Sequence, residues 1–229
     1  TATGQMLMSD MRLISDTANF IIVYPQGSLL EDGGGSHWNS MIESVGNKST
    51  ADDIGFIQIL INDLLFRYNI DSNKIYACGY SNGADFSLSL ACYLSHHIAA
   101  IAPVSGLMMS EADSLCNPTH KTGVLVFNGT SDSSRPYNGI DNWYLPVDSA
   151  ITYWVQYNNA DSIVLNNLVN SEGLSIEHFS YYNDVNTKIV ELYKVLNGGH
   201  DWFNINYKGN DDNIDLLIWD FFSHHSITD

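Results

Sequence analysis

The stretch KIYACGYSNGADFSLSLACYL, Lys74 to Leu94, changes backbone period at its centre. Ile75-Tyr-Ala-Cys78 is short, β-branched and aromatic, which reads as a strand. Ala84 to Leu94 reads as a helix. Between them stands Gly79-Tyr-Ser-Asn-Gly83. One glycine suffices for a plain turn; a pair flanking a serine implies that Ser81 itself is strained. In a strand–Gly-x-Ser-x-Gly–helix elbow the serine takes a sparsely allowed conformation, and side chains two residues to either side would clash. Such a turn lifts the Ser81 hydroxyl clear of the sheet. It also puts the Asn82 N–H at a helix N-terminus, where it can receive negative charge as half of an oxyanion hole.

Outward from the elbow, strands and helices alternate. Upstream, Phe20-Ile-Ile-Val-Tyr24 is a continuous apolar run ended by Pro25, the pattern of a parallel strand buried on both faces. The glycine-rich loop GSLLEDGGGSHWNS follows. Asp52 or Asp53 then caps a helix with Ile54, Ile57, Ile61, Leu64, Leu65 and Tyr68 at helical spacing. Downstream, Ala99–Val104, Gly123–Phe127 and Lys188–Val195 read as strands. Val147–Tyr157 and Ile214–His224 read as helices. The alternation predicts an α/β fold: a mostly parallel central sheet with helices on both faces. Neither a repeat nor a linker divides residues 1–229, so one domain is expected.

A serine hydroxyl needs a base to take its proton, and the base needs a carboxylate to orient it. Asp132 follows one strand in VLVFNGTSDSSRPYNG, and His200 follows another in LYKVLNGGHDWF. Both loops open at the carboxyl ends of strands, where open α/β sheets place their sites. Ser81, Asp132 and His200 are therefore the candidate catalytic residues. Asp141 and Asp148 lie further from a strand end, and Asp201 would point away if His200 faces the serine. His37 sits in a loop that no strand positions. His96, His97, His120 and His178 read as surface or loop residues, while His224 and His225 end the last helix.

Composition narrows the field. Apolar residues make up 45% and aromatics 12% of the 229 residues, a globular profile. Nine Lys and Arg against 26 Asp and Glu give a formal charge of −17, a surface that repels phosphate backbones, so no nucleic-acid partner is expected. No run approaches the roughly 18 apolar residues of a membrane span. Of the three cysteines, Cys78 reads as a buried small hydrophobe, and Cys92 with Cys116 would form a disulfide in an oxidising compartment. No Cys or His spacing suggests a metal site, and serine chemistry needs no cofactor.

Taken in order, FIIVYPQG, GGGSHWN, DDIGFIQILINDL, KIYACGYSNGADFSLSLACYL, AAIAPVSG, FNGTSDSSRPYNG and ELYKVLNGGHDWFN resemble the blocks of the polyhydroxybutyrate depolymerase and feruloyl esterase-like family of α/β-hydrolases. The resemblance covers nearly the whole chain. It implies the α/β-hydrolase fold, and it places the family's serine, aspartate and histidine on Ser81, Asp132 and His200. It further implies that Trp38 borders the cleft, with Trp202 a second candidate for gripping an acyl or aromatic group. One block is missing: the family's strand ending in a His-Gly segment, which supplies the second oxyanion N–H and sits between the strands matching Phe20–Tyr24 and Ile75–Cys78. Either the chain is incomplete on its N-terminal side, with N-terminal strands missing, or a segment elsewhere replaces that strand; the resemblance favours the first. Only Asn82 can be assigned to the oxyanion hole.

The expected activity is hydrolysis of carboxylic esters through an acyl-enzyme. Candidate substrates are small or oligomeric esters: short-chain, hydroxyalkanoate, feruloyl or acetyl. A secreted or periplasmic location follows from the resemblance and the possible disulfide. The alternative is a non-catalytic α/β-hydrolase used as a scaffold or for binding.

Overall fold

Four short strands rich in β-branched and apolar residues build the parallel part of the sheet. In the structure, a computed structural model describing residues 1–41, 47–183, 187–206 and 214–227, the elements in chain order are α1 (Ala2–Met8), α2 (Arg12–Ala18), β1 (Ser28–Leu29), β2 (Ser36–His37), α3 (Asp53–Arg67), β3 (Ile75–Tyr80), α4 (Asn82–Tyr93), β4 (Ile98–Val104), α5 (Ala112–Leu115), β5 (Gly123–Gly129), α6 (Val147–Tyr157), β6 (Ala160–Val169), β7 (Ser175–Asn183), β8 (Lys188–Val195) and α7 (Asp215–Ser223). Asp52, not Asp53, caps α3, its carboxylate accepting the Gly55 N–H at 2.8 Å.

The main sheet runs β3-β4-β5-β8-β7-β6. Strands β3, β4, β5 and β8 are parallel, while β7 and β6 add antiparallel at one edge. Alternation along the strands sorts side chains to two faces. On one face Ile101, Val124 and Val126 join Phe86 and Leu90 of α4, Ile57 and Ile61 of α3, and Trp154 of α6. On the other, Ala100, Ala102, Val104, Leu125 and Phe127 pack against Leu217, Ile218 and Phe221 of α7. Cys92 at the end of α4 is bonded to Cys116 beyond α5, with Cα atoms 4.6 Å apart. Among the described residues no helix is long and apolar enough to cross a membrane.

Three expectations change. Phe20–Tyr24 is not a strand. No described segment pairs with it, so it forms no ladder, and the Phe20 N–H donates instead to the Ser15 carbonyl at 3.3 Å. Phe20 instead stacks on Trp219 at 4.0 Å, the Tyr24 hydroxyl donates to the Ser9 carbonyl at 2.6 Å, and Ile21 and Val23 stay largely exposed. A cavity of about 1140 Å³ is lined by this segment and by β3, which is the sheet's edge, and it reaches Ser81. Second, the β6–β7 hairpin was not anticipated. Third, His178 is no surface residue: it is buried on β7, its Nε2 lying 2.6 Å from the Glu191 carboxylate and its ring stacked on Tyr193. His225, just beyond the end of α7, is buried too, its Nδ1 lying 2.8 Å from the Phe221 carbonyl.

Candidate active site

Ser81 sits between β3 and α4 with φ 55° and ψ −119°, a left-handed conformation that costs a non-glycine residue of order 1–3 kcal/mol. Its N–H donates to the Val104 carbonyl at 3.0 Å, which ties the bend to the end of β4. The two elbow glycines differ. A Cβ on Gly79 would overlap the Gly83 backbone, whereas one on Gly83 would meet nothing nearby. The close approach that the sequence assigned to both positions is therefore a requirement of Gly79 alone.

The loops after β5 and β8 come together at the same sheet end. Gly129 packs so closely on Gly198 and Gly199 that no side chain fits there. The Ser131 N–H donates to the Gly198 carbonyl at 2.9 Å, and the Asn197 N–H to the Thr130 hydroxyl at 2.8 Å. This stitching brings Asp132 Oδ2 to 2.7 Å from His200 Nδ1, and His200 Nε2 lies 2.9 Å from Ser81 Oγ. The carboxylate can only accept, so Nδ1 carries the proton and the neutral ring offers its Nε2 lone pair to the serine hydroxyl. Asp132 is buried, and its Oδ1 accepts the N–H groups of Ser134 and Arg135, both at 2.7 Å.

Two hydroxyls that the sequence did not single out hold the histidine loop from below. Tyr80, the residue before the serine, donates to the His200 carbonyl at 2.6 Å, and its ring lies 4.9 Å from the imidazole. Burial raises the pKa of its phenol, which keeps it a donor. Ser105, also left-handed (φ 50°) and fully buried, donates to the Asp201 carbonyl at 2.8 Å. Nothing in sequence separates Tyr80 from any other aromatic residue at a strand end, or Ser105 from any other serine ending a strand.

Asn82 opens α4, and its side chain clamps the neighbouring loop: Oδ1 accepts the Trp38 N–H at 2.8 Å, and Nδ2 donates to the Trp38 carbonyl at 3.0 Å. The Trp38 ring stacks on Phe86 at 4.8 Å and contributes to the wall of the cavity that reaches Ser81. Trp202 is not among the residues lining that cavity; its Nε1–H donates to Asp215 at 3.3 Å and its ring lies edge-on to Tyr80 at 6.5 Å. The competing acids are engaged elsewhere or exposed: Asp148 accepts the Tyr137 hydroxyl at 2.6 Å, and Asp141 faces solvent. The Cys78 thiol borders the cavity, and burial pushes its pKa up to about 12, which disfavours the thiolate. Among the described residues no three His, Cys, Asp or Glu side chains converge as a metal ion would require.

No family model matches the chain. It is 34% identical over 108 residues to feruloyl esterase B of Piromyces equi, a match covering 46% of the chain and 19% of that protein. It is 27% identical over 130 residues to the bifunctional acetylxylan esterase/xylanase of Neocallimastix patriciarum, covering 57% and 17%. The chain thus matches less than a fifth of either relative, and each match spans about half of the chain. The acetyl xylan esterase from Aspergillus awamori superposes with a TM-score of 0.62 at 14% identity, over 95% of this chain and 82% of that one. That superposition, with the mostly parallel sheet, gives the chain the α/β-hydrolase fold.

Proposed function

We propose that this chain, a feruloyl esterase-like relative with the α/β-hydrolase fold, hydrolyses carboxylic esters, with Ser81 as nucleophile, His200 as general base and acid, and Asp132 as the orienting carboxylate. The observation that carries the reading is the line of short contacts from Asp132 Oδ2 through the imidazole to a serine held at φ 55°.

The chemistry follows from those positions. His200 Nε2 takes the Ser81 proton as Oγ attacks the ester carbonyl, and the resulting imidazolium is stabilised by the buried Asp132 carboxylate. The Asn82 N–H, at the positive end of α4, receives the developing oxyanion. His200 then gives its proton to the departing alcohol. Water, deprotonated by the same imidazole, attacks the acyl-serine and releases the acid. No step calls for a cofactor.

The relatives' names favour feruloyl or acetyl esters of plant polysaccharides, presented as small or oligomeric substrates. Trp38, on the wall beside Ser81, packs against the acyl or aromatic group, and Trp202 supports that wall through Tyr80. The Cys92–Cys116 bond favours a secreted or periplasmic protein.

The test is hydrolysis of p-nitrophenyl acetate, p-nitrophenyl butyrate and methyl ferulate by the parent and by Ser81→Ala. The reading expects turnover by the parent and a loss of at least about 10³-fold in the variant. A Ser81→Ala protein with parental rates would overturn it.

A further inference from the structure

Asp85 is a carboxylate in the heart of the molecule that the proposed chemistry does not use. It lies on the first turn of α4, four residues after Ser81, and is 1% exposed. A buried carboxylate must be paired or neutralised, and this one is paired. Arg135 Nη2 lies 2.6 Å from its Oδ2, and Arg135 Nε lies 3.0 and 3.2 Å from its two oxygens. The Leu107 N–H donates to Oδ1 at 2.8 Å, while Arg135 Nη1 donates to the Ser134 carbonyl at 3.1 Å. The Tyr144 ring packs 5.3 Å from the guanidinium carbon.

The backbone ends of this pair are what matter. The Asp85 N–H donates to the Ser81 carbonyl at 3.0 Å, and the Arg135 N–H donates to Asp132 Oδ1 at 2.7 Å. A closed circuit results. From Ser81 it runs through one helical turn to Asp85, across the ion pair to Arg135, through its N–H to Asp132, and through His200 back to the serine hydroxyl. The acid loop thus has two anchors: the stitching to the histidine loop on one side and this pair on the other.

We infer that buried Asp85 and half-buried Arg135 form a strut that sets the spacing between the serine elbow and the Asp132 loop, and that they are positioning residues for the reaction. The inference rests on the function proposed above. A bidentate guanidinium–carboxylate pair suits the task because its planar fork fixes both distance and orientation, which a lysine ammonium does not. Without the strut the loop carrying Asp132 can drift relative to the elbow. A displacement of about 1 Å in such a constellation costs on the order of 100-fold in rate.

Removing one partner would leave a buried charge unpaired and threaten the fold. The informative variant is therefore the double substitution Asp85→Asn/Arg135→Met, which removes both charges while keeping an acceptor for the Leu107 N–H and an alkyl stem against Tyr144. Arg135→Lys serves as the conservative companion. Two readouts are taken on each folded protein. One is kcat and KM on p-nitrophenyl butyrate. The other is the far-downfield proton resonance of His200 Nδ1–H, assigned by its absence in His200→Gln.

The strut predicts kcat about 10- to 100-fold lower in the double variant with KM within about threefold, an intermediate kcat in Arg135→Lys, and loss of the downfield resonance in the double variant. Retention of that resonance, or kcat within about threefold of the parent, overturns the inference. Should the parent not hydrolyse esters, the functional reading fails separately, and the resonance alone decides whether the pair holds Asp132 on His200.

Discussion

Replacing Tyr80 by Phe removes one oxygen atom from beneath the histidine loop and little else. The ring contacts remain, the imidazole at 4.9 Å and Trp202 at 6.5 Å. What disappears is the 2.6 Å donation to the His200 carbonyl. A partly buried neutral hydrogen bond of this kind is worth about 1 kcal/mol net. If that loss fell wholly on the fold, the melting temperature would drop by about 2–4 °C for a chain of this length. If it fell wholly on the reacting geometry, kcat would fall about fivefold. The carbonyl belongs to the base itself, so a division between the two is expected: kcat down about twofold to fivefold with KM unchanged, and a melting point lower by one or two degrees. Differential scanning calorimetry beside steady-state hydrolysis of p-nitrophenyl butyrate measures both. If neither changes, the hydroxyl does not hold the histidine loop.

Gly79→Ala forces a Cβ onto the Gly83 backbone and should cost at least about 1–3 kcal/mol of stability with loss of hydrolysis, whereas Gly83→Ala should be far milder; paired thermal melts decide. Cys92→Ser opens a loop of 24 residues and should lower stability by about 3 kcal/mol, read as the urea midpoint under non-reducing conditions. Burial first, and then Lys48 and Arg135, hold the His37 pKa below its ordinary 6.5. The unfolded chain therefore takes up this proton before the folded one. The stability that His37 contributes is present above pH 6.5 and is lost as pH falls towards the folded pKa. His37→Gln should flatten that decline in urea midpoints measured from about pH 7.5 to 5.

The parallel strands were legible because each is a short run rich in apolar and β-branched residues, and Lys188–Val195 matches its predicted limits despite carrying Lys188, Glu191 and Lys194. The β6–β7 hairpin was not. β6 is almost wholly exposed, with Asn166 and Asn167 breaking its alternation, so neither a buried run nor a clean period of two marks it. Phe20–Tyr24 had the composition of a buried strand, yet pairing is a property of neighbours, and composition cannot supply one. The proximity of Ser81, Asp132 and His200 could be anticipated because chain order and strand ends constrain where such loops open. The parts that hold them were hidden for a different reason. Tyr80, Ser105, Asp85 and Arg135 act through backbone carbonyls and N–H groups or through each other, and only their positions in space distinguish them from ordinary core and loop residues.

The central claim is that Ser81 is a nucleophile activated by His200. Incubation with a fluorophosphonate, followed by intact-mass measurement and peptide mapping, tests it without any assumption about substrate. One adduct per chain is expected, located on Ser81, absent in Ser81→Ala and formed much more slowly in His200→Gln. A chain that takes no label, or takes it at another residue, would contradict the account.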